Sequence, residues 1–147
     1  MKKHPVHIVW FKRDLRIVDN EALFHAYQSD LPLLLIYVFE PSVMDYDDAD
    51  VRHWRFIYES IQDLNIKLKP FNSKIYFFHN EVKTVFSELI QKFDVKTVFS
   101  HQEIGNKLTY DRDLEMKAFF DSNDIVWNEF QMHGVIRKLK SRQDWDK

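Results

Sequence analysis

Chemistry is concentrated in two short stretches. The first, Lys12 to Asp19, carries Lys12, Arg13, Asp14, Arg16 and Asp19 directly after the apolar run His7 to Phe11. The second, His101 to Asn106 (HQEIGN), follows a later apolar run and holds Glu103, Gly105 and Asn106. Guanidinium and carboxylate groups in such loops suit a planar heterocycle: Arg13 can stack on a ring or hydrogen-bond to it, and Asp14 can accept from ring nitrogens. The same residues have a structural reading. In it Arg13, Asp14 and Arg16 salt-bridge one another or a neighbouring domain, while Asp19, Asn20 and Asn106 are helix caps.

Several other chemistries are excluded. With Gly105 and Gly134 the only glycines, no Gly-rich phosphate cradle of the dinucleotide or P-loop kind can form. There is no Cys, hence no disulfide, thiolate catalysis or Cys-ligated metal. The close pair His4 and His7 has no carboxylate at ligand spacing, so no metal site is expected. No nucleophile elbow or acid/base pair is visible, and the four Trp read as core or interface residues. A net charge of -2 with mixed signs gives no polyanion-coating surface. No run is long and apolar enough for a signal peptide or membrane span, so no membrane partner and a cytoplasmic location are expected.

The elements that must position the two loops follow from periodicity. Apolar runs at His7 to Phe11, Leu31 to Phe39, Lys74 to Phe78, Lys96 to Ser100 and Ile125 to Phe130 read as strands. Between them, helical spacing runs from Ala22 to Tyr27, from Val51 to Leu68, from Val82 to Phe93 behind an Asn80 cap, and from Asn106 to Asp121. The segment from Glu40 to Asp50 reads as a long acidic surface connection. Five alternations of strand and helix predict an α/β fold: an open five-stranded parallel sheet, Rossmann-like, strand order 3-2-1-4-5, with helices on both faces. A pocket is then expected between the first and fourth strands, walled by the two loops, with the acidic connection as a third side. Residues 1–131 form that domain, and the basic tail 132–147 reads as the start of a linker to something longer.

The stretch WFKRDLRIVDNEAL, Trp10 to Leu23, closely resembles the opening signature of the DNA photolyase and cryptochrome family, Trp-Phe-Arg-x-Asp-Leu-Arg-x-x-Asp-Asn. Lys12 stands where the family has its first Arg, while Asp14, Leu15, Arg16, Asp19 and Asn20 fall in place. HQEIGNKLTYDRDLEM, His101 to Met116, is similar to the family's segment after the fourth strand, with Arg112 and Asp113 matching a recurring Arg-Asp pair. The tail His133 to Trp145 resembles the connection of a bacterial subgroup.

The resemblance implies the family's amino-terminal α/β domain. In the family this domain holds an antenna chromophore, when it holds one: a reduced folate, a deazaflavin or a flavin. Carried over by position, its ligands would be Arg13, Asp14, Arg52, Arg55, Glu103 and Asn106. Lys107 departs from folate-binding relatives, which often carry an acidic residue there; an ammonium cannot accept the pterin's donor protons. FAD and damaged DNA would belong to a helical domain of the same polypeptide that is absent here. The expectation is thus the antenna domain of a pyrimidine-dimer photolyase, non-catalytic alone. The alternatives are a cryptochrome-type photoreceptor domain and, more weakly, a stand-alone nucleotide-type binding module.

Overall fold

The computed structural model describes residues 2–13, 15–45, 51–102, 105 and 107–131; the expectation for the tail 132–147 lies outside them. Five strands, β1 (His4–Phe11), β2 (Leu33–Phe39), β3 (Ile75–His79), β4 (Phe93–His101) and β5 (Val126–Phe130), form one sheet in the order β3-β2-β1-β4-β5. Every pairing is parallel, with Val9 opposite Leu35 of β2 on one side and Phe99 of β4 on the other. The fold is the expected Rossmann-like α/β sheet. Parallel strands of this kind need both faces covered, and the continuous apolar runs of β1 and β2 provide for it.

Alternation along each strand assigns the two faces. Val9 and Phe11 of β1, with Leu35, Tyr37 and Phe39 of β2, pack under helices α1 (Glu21–Tyr27) and α3 (Val51–Leu68). Ile8 and Trp10, with Ile36 and Val38, pack under α4 (Val82–Lys92) and α5 (Lys107–Ser122). In β4, Val95 and Val98 lie on the same face despite their odd spacing, because the register with β1 slips between Val6 and His7. An extra residue at such a bulge restores the inward direction of the side chains beyond it.

The helices begin and end for local reasons. Asn20 caps α1, its Oδ1 accepting from the Leu23 amide at 2.9 Å, as the Asn20 reading anticipated. Asp19, just before it, takes a left-handed φ of 53°, which an Asp tolerates better than a branched residue. The expected Asn80 cap is displaced by one residue. Asn80 Oδ1 accepts from the next amide, Glu81, and Glu81 occupies the N-cap position of α4 without a side-chain bond to it. The Glu81 carboxylate goes instead to Ser42, accepting from its amide at 3.0 Å and its hydroxyl at 2.9 Å. Ser42 belongs to a short helix, α2 (Pro41–Met44), so the acidic connection is partly helical where a surface loop was expected. Pro41 at its first position preorganises that turn. The edge strand β3 is tied to α3 by Asn65, whose amide brackets the Ile75 backbone at 2.7 and 3.2 Å.

Candidate functional site

At the carboxyl ends of β1 and β2 lies a cavity of about 680 Å³, within the usual range for a small-molecule site. Its floor comes from Trp10, Phe11, Lys12 and Arg13 of β1 and the turn after it, and from Tyr37, Val38 and Glu40 at the end of β2. One wall is α3, through His53, Trp54, Phe56, Ile57 and Ser60; the opposite wall is Thr109 and Arg112 of α5. Val43 of α2 and Leu15 close the remaining sides. The acidic connection after β2 therefore contributes Glu40 and Val43, as expected of the third side.

The opening is shifted toward β2 from the expected position between β1 and β4, because the space above β1 and β4 is filled. Trp10 stacks on Trp127 of β5 with centroids 6.0 Å apart, and the Lys12 ammonium lies 4.3 Å from the first ring and 5.3 Å from the second. Trp127 Nε1 donates to Ser100 Oγ at 2.9 Å, which fixes the indole. Lys12, read from sequence as part of a charged loop, is 7% exposed.

That burial is compensated by a network of charges. Lys12 Nζ sits 3.3 and 3.2 Å from the two oxygens of Asp113, itself buried on α5. Arg112 Nε donates to Asp113 Oδ1 at 3.0 Å, and its NH1 pairs with Glu40. The Arg112 guanidinium also lies 5.2 Å from the centroid of Trp10. These two cations and two anions, desolvated together, satisfy the rule that buried charge must be paired.

The site residues expected from sequence distribute unevenly. Arg13 lines the cavity, and its guanidinium lies against the turn that contains Gly105. A Cβ built on Gly105 would come 3.1 Å from Arg13 and 2.7 Å from Thr109 Oγ1, so the two loops do meet, through a glycine that leaves no room for a side chain. Arg52 and Arg55 are exposed on the first turns of α3 and do not line the cavity; their neighbours His53, Trp54 and Phe56 do. Asp14, Glu103 and Asn106 lie outside the described residues. His101, Gln102 and Gly105, the described part of the second loop, contribute no lining; α5 beyond it does. Arg16 turns back on its own loop, Nε donating to the Asp19 carbonyl at 3.0 Å.

Among the contributors that went unassigned in the sequence are Trp54, Thr109 and Arg112. Trp54 has the helical spacing of a core residue and does pack beside Phe39, 6.4 Å between centroids. Its Nε1 is nevertheless buried without a hydrogen-bond partner among the described residues. Arg112 and Asp113 had a signal only in the family resemblance. Among the described residues no group of His, Cys, Asp and Glu is arranged to hold a metal ion, and no helix is long and apolar enough to cross a membrane.

A family model described as DNA photolyase matches residues 7–143. Cryptochrome DASH of Synechocystis is 28% identical over 116 residues, covering 75% of this chain and 24% of that protein. Cryptochrome-2 of Gallus gallus is 31% identical over 86 residues, 58% of this chain and 15% of that protein. The chain thus spans about a quarter or less of the relatives it matches. In fold it is similar to an archaeal photolyase from Sulfolobus tokodaii with two FAD molecules, at a TM-score of 0.77 and 18% identity over 95% of this chain and 33% of that one. With its family signature, its 3-2-1-4-5 parallel sheet and the match over nearly its whole length, the chain belongs to the DNA photolyase family and has the fold of that family's amino-terminal α/β domain.

Proposed function

We propose that this chain is the amino-terminal antenna domain of a DNA photolyase and that its cavity holds a flat light-harvesting chromophore. The reading rests on the cavity itself: a volume of about 680 Å³ at the carboxyl ends of central strands, with aromatic walls and polar groups converging on it. The residues present fit a conjugated ring. Trp54 and Phe56 supply apolar surface, Arg13 a planar cation that stacks or donates, and Glu40 and Arg112 an ordered polar floor. A bound reduced folate, deazaflavin or flavin would supply near-ultraviolet or blue absorption and pass its excitation to FAD. That FAD belongs to a helical domain of the same polypeptide, which also engages damaged DNA; residues 1–131 are the α/β domain and 132–147 begin the connection. The Sulfolobus relative, with two FAD molecules and the implication of a novel light-harvesting cofactor, supports a flavin among the candidates.

Of the six residues that the family pattern offers as ligands, Arg13 lines the cavity, Asp14, Glu103 and Asn106 are assigned by position, and Arg52 and Arg55 lie outside the lining. The double variant Arg13→Ala with Asn106→Ala should remove any near-ultraviolet or blue absorption that copurifies with the chain. Unchanged pigment would take both residues out of the site. A second reading, a cryptochrome-type photoreceptor whose output is a signal to a partner, is favoured by the cryptochromes among the similar proteins. Light-dependent removal of pyrimidine dimers by the full-length protein supports the photolyase; dimers left intact support the receptor.

A further inference from the structure

Asp113 is buried and does not line the cavity, yet it holds two residues that do. Its carboxylate receives Lys12 on both oxygens and Arg112 Nε on one, and Arg112 in turn pairs with Glu40. One buried carboxylate therefore ties the end of β1 to α5 and, through Arg112, to the end of β2. Stability is weak ground for it. A buried ion pair is often no better than well-packed apolar residues of similar volume, and α5 fills the rest of the same stripe with Met116 and Phe120. An apolar residue at 113 would serve packing as well, but it would not hold two cations at fixed places on a cavity wall.

We infer that Asp113 is a positioning residue: it fixes Lys12 and Arg112 so that the inner wall of the cavity presents an ordered set of donors to the acceptor edge, carbonyl or ring nitrogen, of a planar ligand. The ligand half of this inference rests on the ring-binding reading above; the positioning half does not. A preorganised wall binds without the cost of ordering two long side chains at the moment of association.

The test uses the full chain and the variant Lys12→Met with Asp113→Leu, which removes the pair without stranding either charge. Its thermal midpoint should equal or exceed that of the parent. Amide exchange over residues 109–113 should accelerate about tenfold or more, the scale of one lost charge-assisted hydrogen bond, while residues 116–120 keep their protection. Riboflavin, titrated by its fluorescence, should bind about tenfold more weakly. Unchanged exchange together with unchanged riboflavin affinity would overturn the positioning role. If the parent binds no riboflavin but the exchange pattern appears, the flavin is removed from the ring reading and the positioning role stands. Should the double variant not fold, Lys12→Met with Asp113→Asn keeps the shape of the side chain at 113 and again strands neither charge, and its exchange profile carries the same decision.

Discussion

Helices α4 and α5 cover the same face of the sheet but do so with different chemistry. The buried stripe of α4 is Val82, Val85, Phe86 and Leu89, apolar from end to end. The buried stripe of α5 is Thr109, Asp113, Met116 and Phe120, as regular in spacing but polar in the half that reaches the carboxyl ends of the strands. Both halves of α5 are equally dry. What changes is the neighbour: Met116 and Phe120 meet the apolar core, and Thr109 and Asp113 meet the cavity wall and Lys12. Apolar burial supplies the stability of this layer, and the buried polar half trades some of it for a defined site.

The contrast can be broken at its apolar side with the largest effect. Phe86 is fully buried in edge contact with Trp10 and Phe120, at centroid distances of 5.5 and 5.0 Å. Phe86→Ala should cost about 3–5 kcal/mol in urea unfolding; a loss under 1 kcal/mol would mean that α4 is not the anchor of this face. On the opposite face, Asn20→Ala removes the α1 cap and should cost about 1 kcal/mol. An unchanged denaturation midpoint would assign the α1 start to packing alone.

A third variant sharpens the comparison by touching only the site. Gly105→Ala places a Cβ 2.7 Å from Oγ1 of Thr109, a buried and β-branched side chain that must shift, and 3.1 Å from the flexible end of Arg13, both lining the cavity. Stability should fall by about 1 kcal/mol, the low end of overpacking, and binding of any ring ligand should fall with it. A large loss of stability with intact binding would show that the contact serves the fold.

The smallest effect is expected at His7, which faces Phe99 at 5.6 Å and has a buried Nδ1 without a hydrogen-bond partner among the described residues. Burial lowers its pKa from the ordinary value of 6.5. In the window just below 6.5 the unfolded chain then binds more protons than the folded one, so stability is full above that pH and declines as pH falls. His7→Gln should flatten that part of the profile in urea titrations on either side of pH ~6.5; an identical slope would assign the acid sensitivity elsewhere.

The site was only half legible because the signals used to find it are local. Arg13 stood out because a dense charged loop follows a buried strand, and that loop does meet the Gly105 turn. Trp54 was hidden because a cavity wall and a core stripe look alike at helical spacing. Asp113 was hidden because the polar half of α5 erases its apolar periodicity, although its position at Thr109 plus four carries the same stripe. Arg52 and Arg55 were drawn in by the resemblance, and the turn of α3 points their neighbours at the cavity instead.

The amino-acid sequence by itself determined the alternation of five strands with helices, hence the order 3-2-1-4-5, and its want of glycine excluded a Gly-rich phosphate cradle. These are matters of period and local backbone freedom, written within a few residues of where they act. Only the tertiary structure decided that Lys12 would meet Asp113 across 101 positions, and Arg112 meet Glu40 across 72. No local pattern encodes such pairs, because two opposite charges become partners only when strands and helices, each placed by its own apolar face, bring them into one dry space where neither can remain alone.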